Sequence, residues 1–431
     1  METQHKRPKL TAEEIRRLPN LLQVVNHFNN LTNDFVNSGG WSSVDDEPVP
    51  NDYCWHAPSM DFHNNAEDDK FIVVQTVKGR HTLKPNLMRR PFLFRGEKKD
   101  HGMIISSFTQ ENFDKDKQLR SKEEAWERHL VANLKSEEFI ALLKTHPLFM
   151  MLDRGIMLQP EKRPVFINMN YYGLAQHYGF RTGLVDFSPD IMSAAFFACT
   201  KNLGNDRYEP ITDTGQNPYG VIYVHKIDPL LTFKIAGFST IGLQLYPRTG
   251  AQKGFFFNEG VTPVNVNQIV TPIYFRQDAN VSRHIYKEMK EGKTLFPDDT
   301  ISKYAAQILA DNEVSGETFA HNLYSNQEDF DRNLEVARKH GVTINWHKMQ
   351  YFTPEMLHEL EQDLKNGLWE QFCNQIYFAD EKKGKAMAES LLNLPKNPAY
   401  SHYFKADEYE RITAYDADMH RRAGLKSASE S

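Results

Sequence analysis

Cysteine is scarce: Cys54, Cys199 and Cys373 are the only three in 431 residues, and they lie far apart. With no CxxC pair, a zinc ribbon and a disulfide framework are excluded, and a reducing, cytoplasmic setting is expected. No apolar run approaches the roughly 18 residues of a membrane span. The opening METQHKRPKLTAEEIRRL lacks the apolar centre of a secretory signal. Neither secretion nor a membrane partner is expected. Positive charge is short as well. Fifty-one Lys and Arg stand against 57 Asp and Glu, a formal charge of −6, which argues against bulk binding to nucleic acid or an anionic bilayer. Also missing are GxxxxGK[ST], GxGxxG, HExxH, GxSxG and an EF-hand loop, so phosphate-loop, dinucleotide-fold and zincin chemistry lose their signatures. Seventeen histidines are present, yet none sits in a convincing ligand pair, and no metal site is expected.

What is present is ordinary globular composition, 40% hydrophobic and 25% charged, with 28 Phe to fill a ring-rich core. Thr11, with Glu14 three residues on, opens a helix whose Leu18, Leu21, Leu22, Val25 and Phe28 recur at helical spacing. Residues 44–69 mix Pro, Asp and Asn and read as an irregular loop. Strands are expected at 71–77, 91–96, 103–108, 221–227, 253–260 and 269–275, and a charged helix at 122–144. Residues 206–217 read as a turn-rich insertion. Beyond about residue 280, helical periodicity takes over, with helices expected over 281–291, 302–310, 326–340, 354–378 and 381–392. Strands come in clusters and do not alternate strictly with helices, which favours an α+β fold over a doubly wound sheet. The expected organisation is an N-terminal helix and irregular extension over 1–89, a mixed domain over 90–310, a helical region over 311–420 and a disordered tail over 421–431.

Three segments concentrate polar side chains where apolar ones dominate. In the first, Arg95 ends an apolar strand and Gly96 follows it. Arg is seldom buried without an anionic partner, so Arg95 is either a fork for phosphate or carboxylate or one half of an ion pair. Gly96 permits a sharp turn or a close ligand approach. The second segment, 174–200, gathers Gln176, His177, Arg181, Thr182 and Asp186 at the ends of a short buried strand and an almost wholly apolar helix. Ser188 and Pro189 look like that helix's cap and first position. Polar groups at converging element ends are common site material, and polar bracing is the alternative. In the third, Gly250 and Gly254 flank Gln252 ahead of three consecutive Phe. This is either a pocket edge or a hairpin turn.

These segments resemble the FRG domain family, named for its Phe/Tyr-Arg-Gly motif. Phe94-Arg95-Gly96 matches that motif. Gln176-His177-Tyr178-Gly179, Thr182, Leu184 and Asp186, followed by Ala194 to Ala198, are similar to the family's second segment. Arg248, Ala251, Gln252, Gly254 and Phe256 resemble its third, and Leu295-Phe296-Pro297-Asp298 its last. Arg181 stands where the family has Pro and Gly183 where it has Arg, so Arg181 is expected to take that arginine's part from two residues away. The resemblance covers about residues 90–310.

The family name describes a motif and not an activity, so the reaction rests on a parallel. ADP-ribosyl transferases are α+β proteins that hold NAD with an early Arg or His, a middle Ser, Thr or Tyr, and a late Glu. The order here is similar: Arg95, then Ser106-Ser107 or Thr182, then Gln252 or Glu259. The expected function is NAD cleavage or ADP-ribosyl transfer, with Arg95, His177, Asp186 and Gln252 in catalysis and Gly96, Gln176, Arg181, Thr182 and Glu259 contacting the ligand. NAD enters as substrate, with no certain cofactor. Gln252 supplies no negative charge, which leaves the acid open. The alternative is a non-catalytic nucleotide- or ligand-binding module in a signalling or defence-related interaction protein. A third reading makes His177 a base oriented by Asp186. The charged C-terminal helices are either a protein-partner surface or a solvated cover.

Overall fold

A computed structural model describes residues 10–38, 70–75, 80–85, 87, 89–114, 118–215, 217–228, 232, 236–259, 265–321, 327–348, 351–378 and 381–406. The irregular stretch expected at 44–69, the tail at 421–431 and Cys54 lie outside these residues. The fold is α+β, and the chain divides into two compact units. Met1–Ser121 and Arg181–Asp299 form one; Lys122–Phe180 and Thr300–Ser431 form the other.

The first unit begins with two helices where the apolar spacing predicts one. Thr11 caps Ala12–Arg17 and exchanges bonds with Glu14, as its sequence implies. Residues preceding proline avoid the helical region, so the helix stops before Pro19. Asn20 then caps Leu21–Asn37 with a second box through Gln23. Leu21, Val24, Val25 and Phe28 form the buried stripe of this second helix.

Ten strands follow in the same unit: β1 (Phe71–Gln75), β2 (His81–Pro85), β3 (Phe92–Glu97), β4 (Leu184–Phe187), β5 (Thr200–Gly204), β6 (Arg207–Pro210), β7 (Tyr219–Lys226), β8 (Ser239–Thr240), β9 (Phe255–Asn258) and β10 (Thr271–Arg276). β1 and β2 form an antiparallel hairpin, as do β5 and β6. One three-stranded sheet runs β10-β7-β3 and another β4-β9-β8, all antiparallel. The two sheets are stitched at a single point. The Phe94 N–H donates to the Ser188 carbonyl (2.7 Å), and the Ser188 N–H returns to the Phe94 carbonyl (2.9 Å). Phe94 also pairs with Val224 of β7, so it is the residue at which β3 bridges the two sheets.

Both faces of β3 and β7 are covered. Phe94, Ile222, Val224 and Phe275 pack under the helix Ile191–Cys199, together with Phe28. Leu93, Val221 and Tyr223 pack with Val185, Phe187, Phe255 and Phe257 on the other side. Two-sided burial accounts for the unbroken apolar run of β7, since neither alternate set can face water. Each fully buried Phe or Leu here contributes roughly 1.5–3 kcal/mol by leaving water.

Four local expectations change. Residues 103–108 do not form a strand; Ser106 caps a short helix, Ser107–Gln110, by accepting from the Thr109 N–H. Ser and Thr hydroxyls compete well for a free backbone N–H, and the alternating apolar pattern did not register that. The helix after β4 is capped by Asp190, which accepts from Met192 and Ser193, and not by Ser188, whose backbone is committed to Phe94. The 206–217 insertion supplies β6, because Asn205 and Asp206 both adopt positive φ and turn the chain back on β5. Residues 247–252 are helical, with Pro247 in the first turn.

The second unit is mainly helical. Its long helix, Lys122–Thr145, packs near Pro147–Arg154 and Tyr171–His177, and Phe139 stacks on Phe180 (4.6 Å between centroids). Leu134, Val314, Phe319, Ala337 and Val342 form a core beside a short parallel pair, Glu313–Ser315 with Thr343–Asn345. The helix expected over 354–378 is interrupted at Gly367, where φ is +90°, and continues as Leu368–Asn374 with Trp369 buried. No helix among the described residues is long and apolar enough to cross a membrane.

Candidate functional site

Side chains alternate along a strand, so Phe92, Phe94 and Gly96 point one way from β3 while Leu93, Arg95 and Glu97 point the other. Gly96 meets the helix Ile191–Cys199 at contact distance. A Cβ on it would stand 1.7 Å from the Ala194 carbonyl oxygen and 3.0 Å from the Ala198 Cβ. Only glycine lets the helix lie this close to the strand. The residue therefore sets the depth at which Phe197 and Thr200, at the far end of that helix, stand beside the end of β3.

A pocket of about 750 Å³ opens at this end. Strand β3 and its exit loop provide Arg95, Gly96, Glu97, Lys98, His101 and Met103. The following segment adds Ile105, Gln110, Phe113 and Asp114, and the helix and β5–β6 hairpin close it with Phe197, Thr200, Asn202 and Tyr208. The volume lies in the range of small-ligand sites, and the lining sets charged and polar side chains against the rings of Phe113, Phe197 and Tyr208.

Arg95 occupies the gap where the sheets part. Its Nε donates to Glu97 Oε1 (2.9 Å) and its Nη1 to the Asp186 carbonyl (3.1 Å). Burial pulls the guanidinium pKa down, but the charges of Glu97 and Asp186 outweigh it and hold the group above its ordinary value. Arg95 is a permanent cation at any working pH. Its Nη2 bonds no described residue, so one edge of the fork faces the pocket. Lys98, on the same wall, makes no ion pair among the described residues.

The loop that carries Lys98 and His101 is anchored by Asp100, which is 2% exposed. Its carboxylate accepts from the hydroxyls of Tyr223 (3.1 Å) and Tyr274 (2.7 Å) and from the Gly102 N–H (2.6 Å). Three donors compensate the buried charge, and the loop is thereby fixed to β7 and β10. Burial first, then the charges of Glu97 and Asp100, push the Tyr223 phenol well above its usual range, so it stays a donor.

The other residues singled out by the sequence divide. Thr182 accepts from the Phe108 N–H at its carbonyl (3.1 Å), and its own N–H donates to the Ser107 hydroxyl (3.1 Å). Arg181 pairs with Glu111. Glu259 accepts from the Ser106 N–H and the Thr109 hydroxyl, both at 2.8 Å. These three tie the Ser107–Gln110 helix to β4 and β9 and do not line the pocket. Gln252 donates to the Leu295 carbonyl (3.1 Å), and its own carbonyl accepts from the Ser188 hydroxyl (3.0 Å). Asp186 contributes its carbonyl to Arg95 and its charge to the surroundings of Arg95 and Tyr208. Gln176, half-buried, and His177, 6% exposed, end a helix of the other compact unit.

The sequence reading missed Glu97, Lys98, Asn202 and Tyr208. Glu97 was legible in principle, because it stands two residues after Arg95 on the same face of one strand. Tyr208 was not, because it falls in the 206–217 stretch that reads as a turn-rich insertion, and Asn202 gives no local signal of its own.

The third and fourth motif segments meet in space. Arg248, 2% exposed, pairs with Asp206 and lies 5.2 Å from the Phe296 ring centre, and Gln252 holds Leu295. Phe296 in turn stacks on Tyr208 of the pocket wall (5.1 Å, 15° between planes). Comparison with known proteins agrees with the first two segments. No curated protein and no solved structure matches the chain. The family model for the FRG domain matches residues 90–207, from the strand of Arg95 to the hairpin that closes the pocket, and the chain thus carries an FRG domain.

Proposed function

We propose that the pocket at the end of β3 binds a nucleotide, with NAD as substrate. The observation that carries this is the pairing of two open cationic groups with a ring-lined wall. Arg95 Nη2 and Lys98 serve phosphate oxygens, and Phe113, Phe197 and Tyr208 serve a base. Glu97 adds the third requirement of a sugar phosphate. One of its oxygens takes the Arg95 bond, and the other has no described partner and accepts from a ribose hydroxyl.

Glu97 also favours chemistry over binding alone. Its carboxylate, paired with Arg95, stands where it can supply the negative charge that Gln252 lacks. Cleavage breaks the bond between ribose C1′ and the nicotinamide nitrogen. The bonding pair leaves with nicotinamide, and positive charge develops across C1′ and the ring oxygen. A fixed carboxylate beside that ribose stabilises the charge more than it stabilises the neutral sugar, which is the condition for lowering the barrier. Water, or the nucleophile of an acceptor, then adds at C1′ and loses a proton.

The test is nicotinamide release from NAD by the purified protein and by Arg95→Ala and Glu97→Gln. Release by the wild type that both variants lose supports cleavage. Binding of NAD without release, with or without an acceptor extract, leaves a nucleotide-binding module. No binding at all removes the nucleotide.

A further inference from the structure

Tyr208 is held more firmly than a side chain that merely fills a wall. Its ring stacks on Phe296, lies tilted against Phe196 (5.2 Å) and meets Phe197 edge-on (6.0 Å). Its carbonyl accepts from the Tyr286 hydroxyl (3.0 Å). Across the hairpin it is the register partner of Asn202.

The Asn202 amide has one orientation. Its Oδ1 accepts from the Gly204 N–H (2.7 Å), so its NH2 faces the Tyr208 hydroxyl and donates to it (3.3 Å). A phenol oxygen that already accepts keeps its own proton for another group. No described residue takes that proton. Burial, then the charge of Asp206, keep the phenol above its ordinary value, so it is a neutral donor throughout the working range.

Tyr208 and Asn202 both line the pocket. They offer uncharged donors, in contrast to the cations Arg95 and Lys98. Phosphate is better served by the cations, and a neutral donor beside an aromatic wall suits an uncharged acceptor on a flat ring. We infer that the Tyr208 hydroxyl donates to a ring nitrogen or carboxamide oxygen of the bound nucleotide's base, with Asn202 and the surrounding rings holding it in place. This rests on the nucleotide reading and assigns the residue that reads the base.

Tyr208→Phe removes the hydroxyl and keeps the ring, so the stack on Phe296 survives. Calorimetric titration of wild type and variant uses three probes: carba-NAD, whose ribosyl bond resists hydrolysis, ADP-ribose, which lacks nicotinamide, and nicotinamide mononucleotide, which lacks adenosine. With matching melting curves as the control for folding, the variant's Kd for carba-NAD rises about fivefold to tenfold, the worth of one hydrogen bond. The same rise with ADP-ribose places the acceptor on adenine; a rise confined to the mononucleotide and carba-NAD places it on nicotinamide. Equal Kd values for variant and wild type with all three probes overturn the role of Tyr208 and leave nucleotide binding standing. A wild type that binds none of the three overturns nucleotide binding and the role of Tyr208 with it.

Discussion

Arg95, inside the matched FRG domain, and Arg248, beyond it, each stand beside a carboxylate, and they end in opposite situations. The Arg95 side chain is 22% exposed, pairs with Glu97 on its own strand, and turns an edge of its fork to the pocket. The Arg248 side chain is 3% exposed, pairs with Asp206 on a different element, and is covered by Phe296. The first pair lies within one strand, and the tertiary tie of Arg95 is a single bond to the Asp186 carbonyl. The second joins the helix Pro247–Gln252 to the β5–β6 hairpin, which is a wall of the same pocket. One arginine is placed to meet a ligand, and the other to hold the wall that the ligand would touch. Motif membership alone does not separate these roles; enclosure and the element that carries the partner do.

The largest effect expected of this arrangement is at Gly96, where strand and helix meet. Gly96→Ala places a methyl inside the Ala194 carbonyl, a backbone atom that cannot swing aside. The loss of stability is about 3 kcal/mol or more, at the upper end for overpacked cores. Urea unfolding measures it. A variant as stable as wild type would show that the helix is free to lift off β3, and the depth of the pocket would then not depend on Gly96.

Next is the direct contrast. Arg248→Ala removes a buried side chain with its packing on Phe296 and its pair to the part-exposed Asp206, at a cost of about 2–3 kcal/mol, most of it lost packing. Arg95→Ala removes a part-exposed pair within one strand and one bond to the Asp186 carbonyl, and costs about 1–2 kcal/mol. Ligand binding reverses the order. Arg95→Ala weakens NAD at least tenfold through the lost phosphate fork, about 1.4 kcal/mol, whereas Arg248→Ala acts on binding only as far as the hairpin loosens. Denaturation and titration of the two variants side by side decide it. If both lose stability equally and bind equally, the division of roles is wrong.

Much of this was written in residues whose local rules are strong. Thr11 and Glu14 announce a capping box, β7 announces two-sided burial, and Arg95 at the end of an apolar strand announces a polar group with a purpose. The pocket was only half visible. Arg95 and Gly96 were named from the sequence, but the hairpin wall came from residues 200–208, whose turn depends on positive φ at Asn205 and Asp206. Non-glycine residues adopt that conformation seldom enough that the chain appears to be a loop. Gln252 reads as a pocket-edge or hairpin-turn residue and was expected in catalysis, yet its side chain bonds a carbonyl 43 residues on, which no local pattern encodes. Glu259 was assigned to a ligand for its charge; the structure commits one of its oxygens to Ser106 and Thr109. Sequence shows which residues are polar in apolar surroundings, and tertiary pairing decides whether they face a ligand or one another.

The smallest effect, and the sharpest for the comparison, is at Asp206. This residue has φ of +56° and a side chain 42% exposed. Asparagine tolerates the left-handed region as well as aspartate does, so Asp206→Asn removes the charge and leaves the turn. Exposure of Asp206 to solvent limits the Coulomb loss, while Arg248 is left enclosed with a neutral acceptor in place of an anion. The two considerations together give about 1 kcal/mol of lost stability. The same change in charge at Glu97, Glu97→Gln, costs no more stability but removes the carboxylate assigned to the ribose, so nicotinamide release falls while the fold persists. Urea titration of both variants, with release measured alongside, sets the two pairs against each other. Loss of release in Asp206→Asn equal to that in Glu97→Gln would mean that the hairpin pair belongs to the reaction and that the line drawn between the two arginines lies in the wrong place.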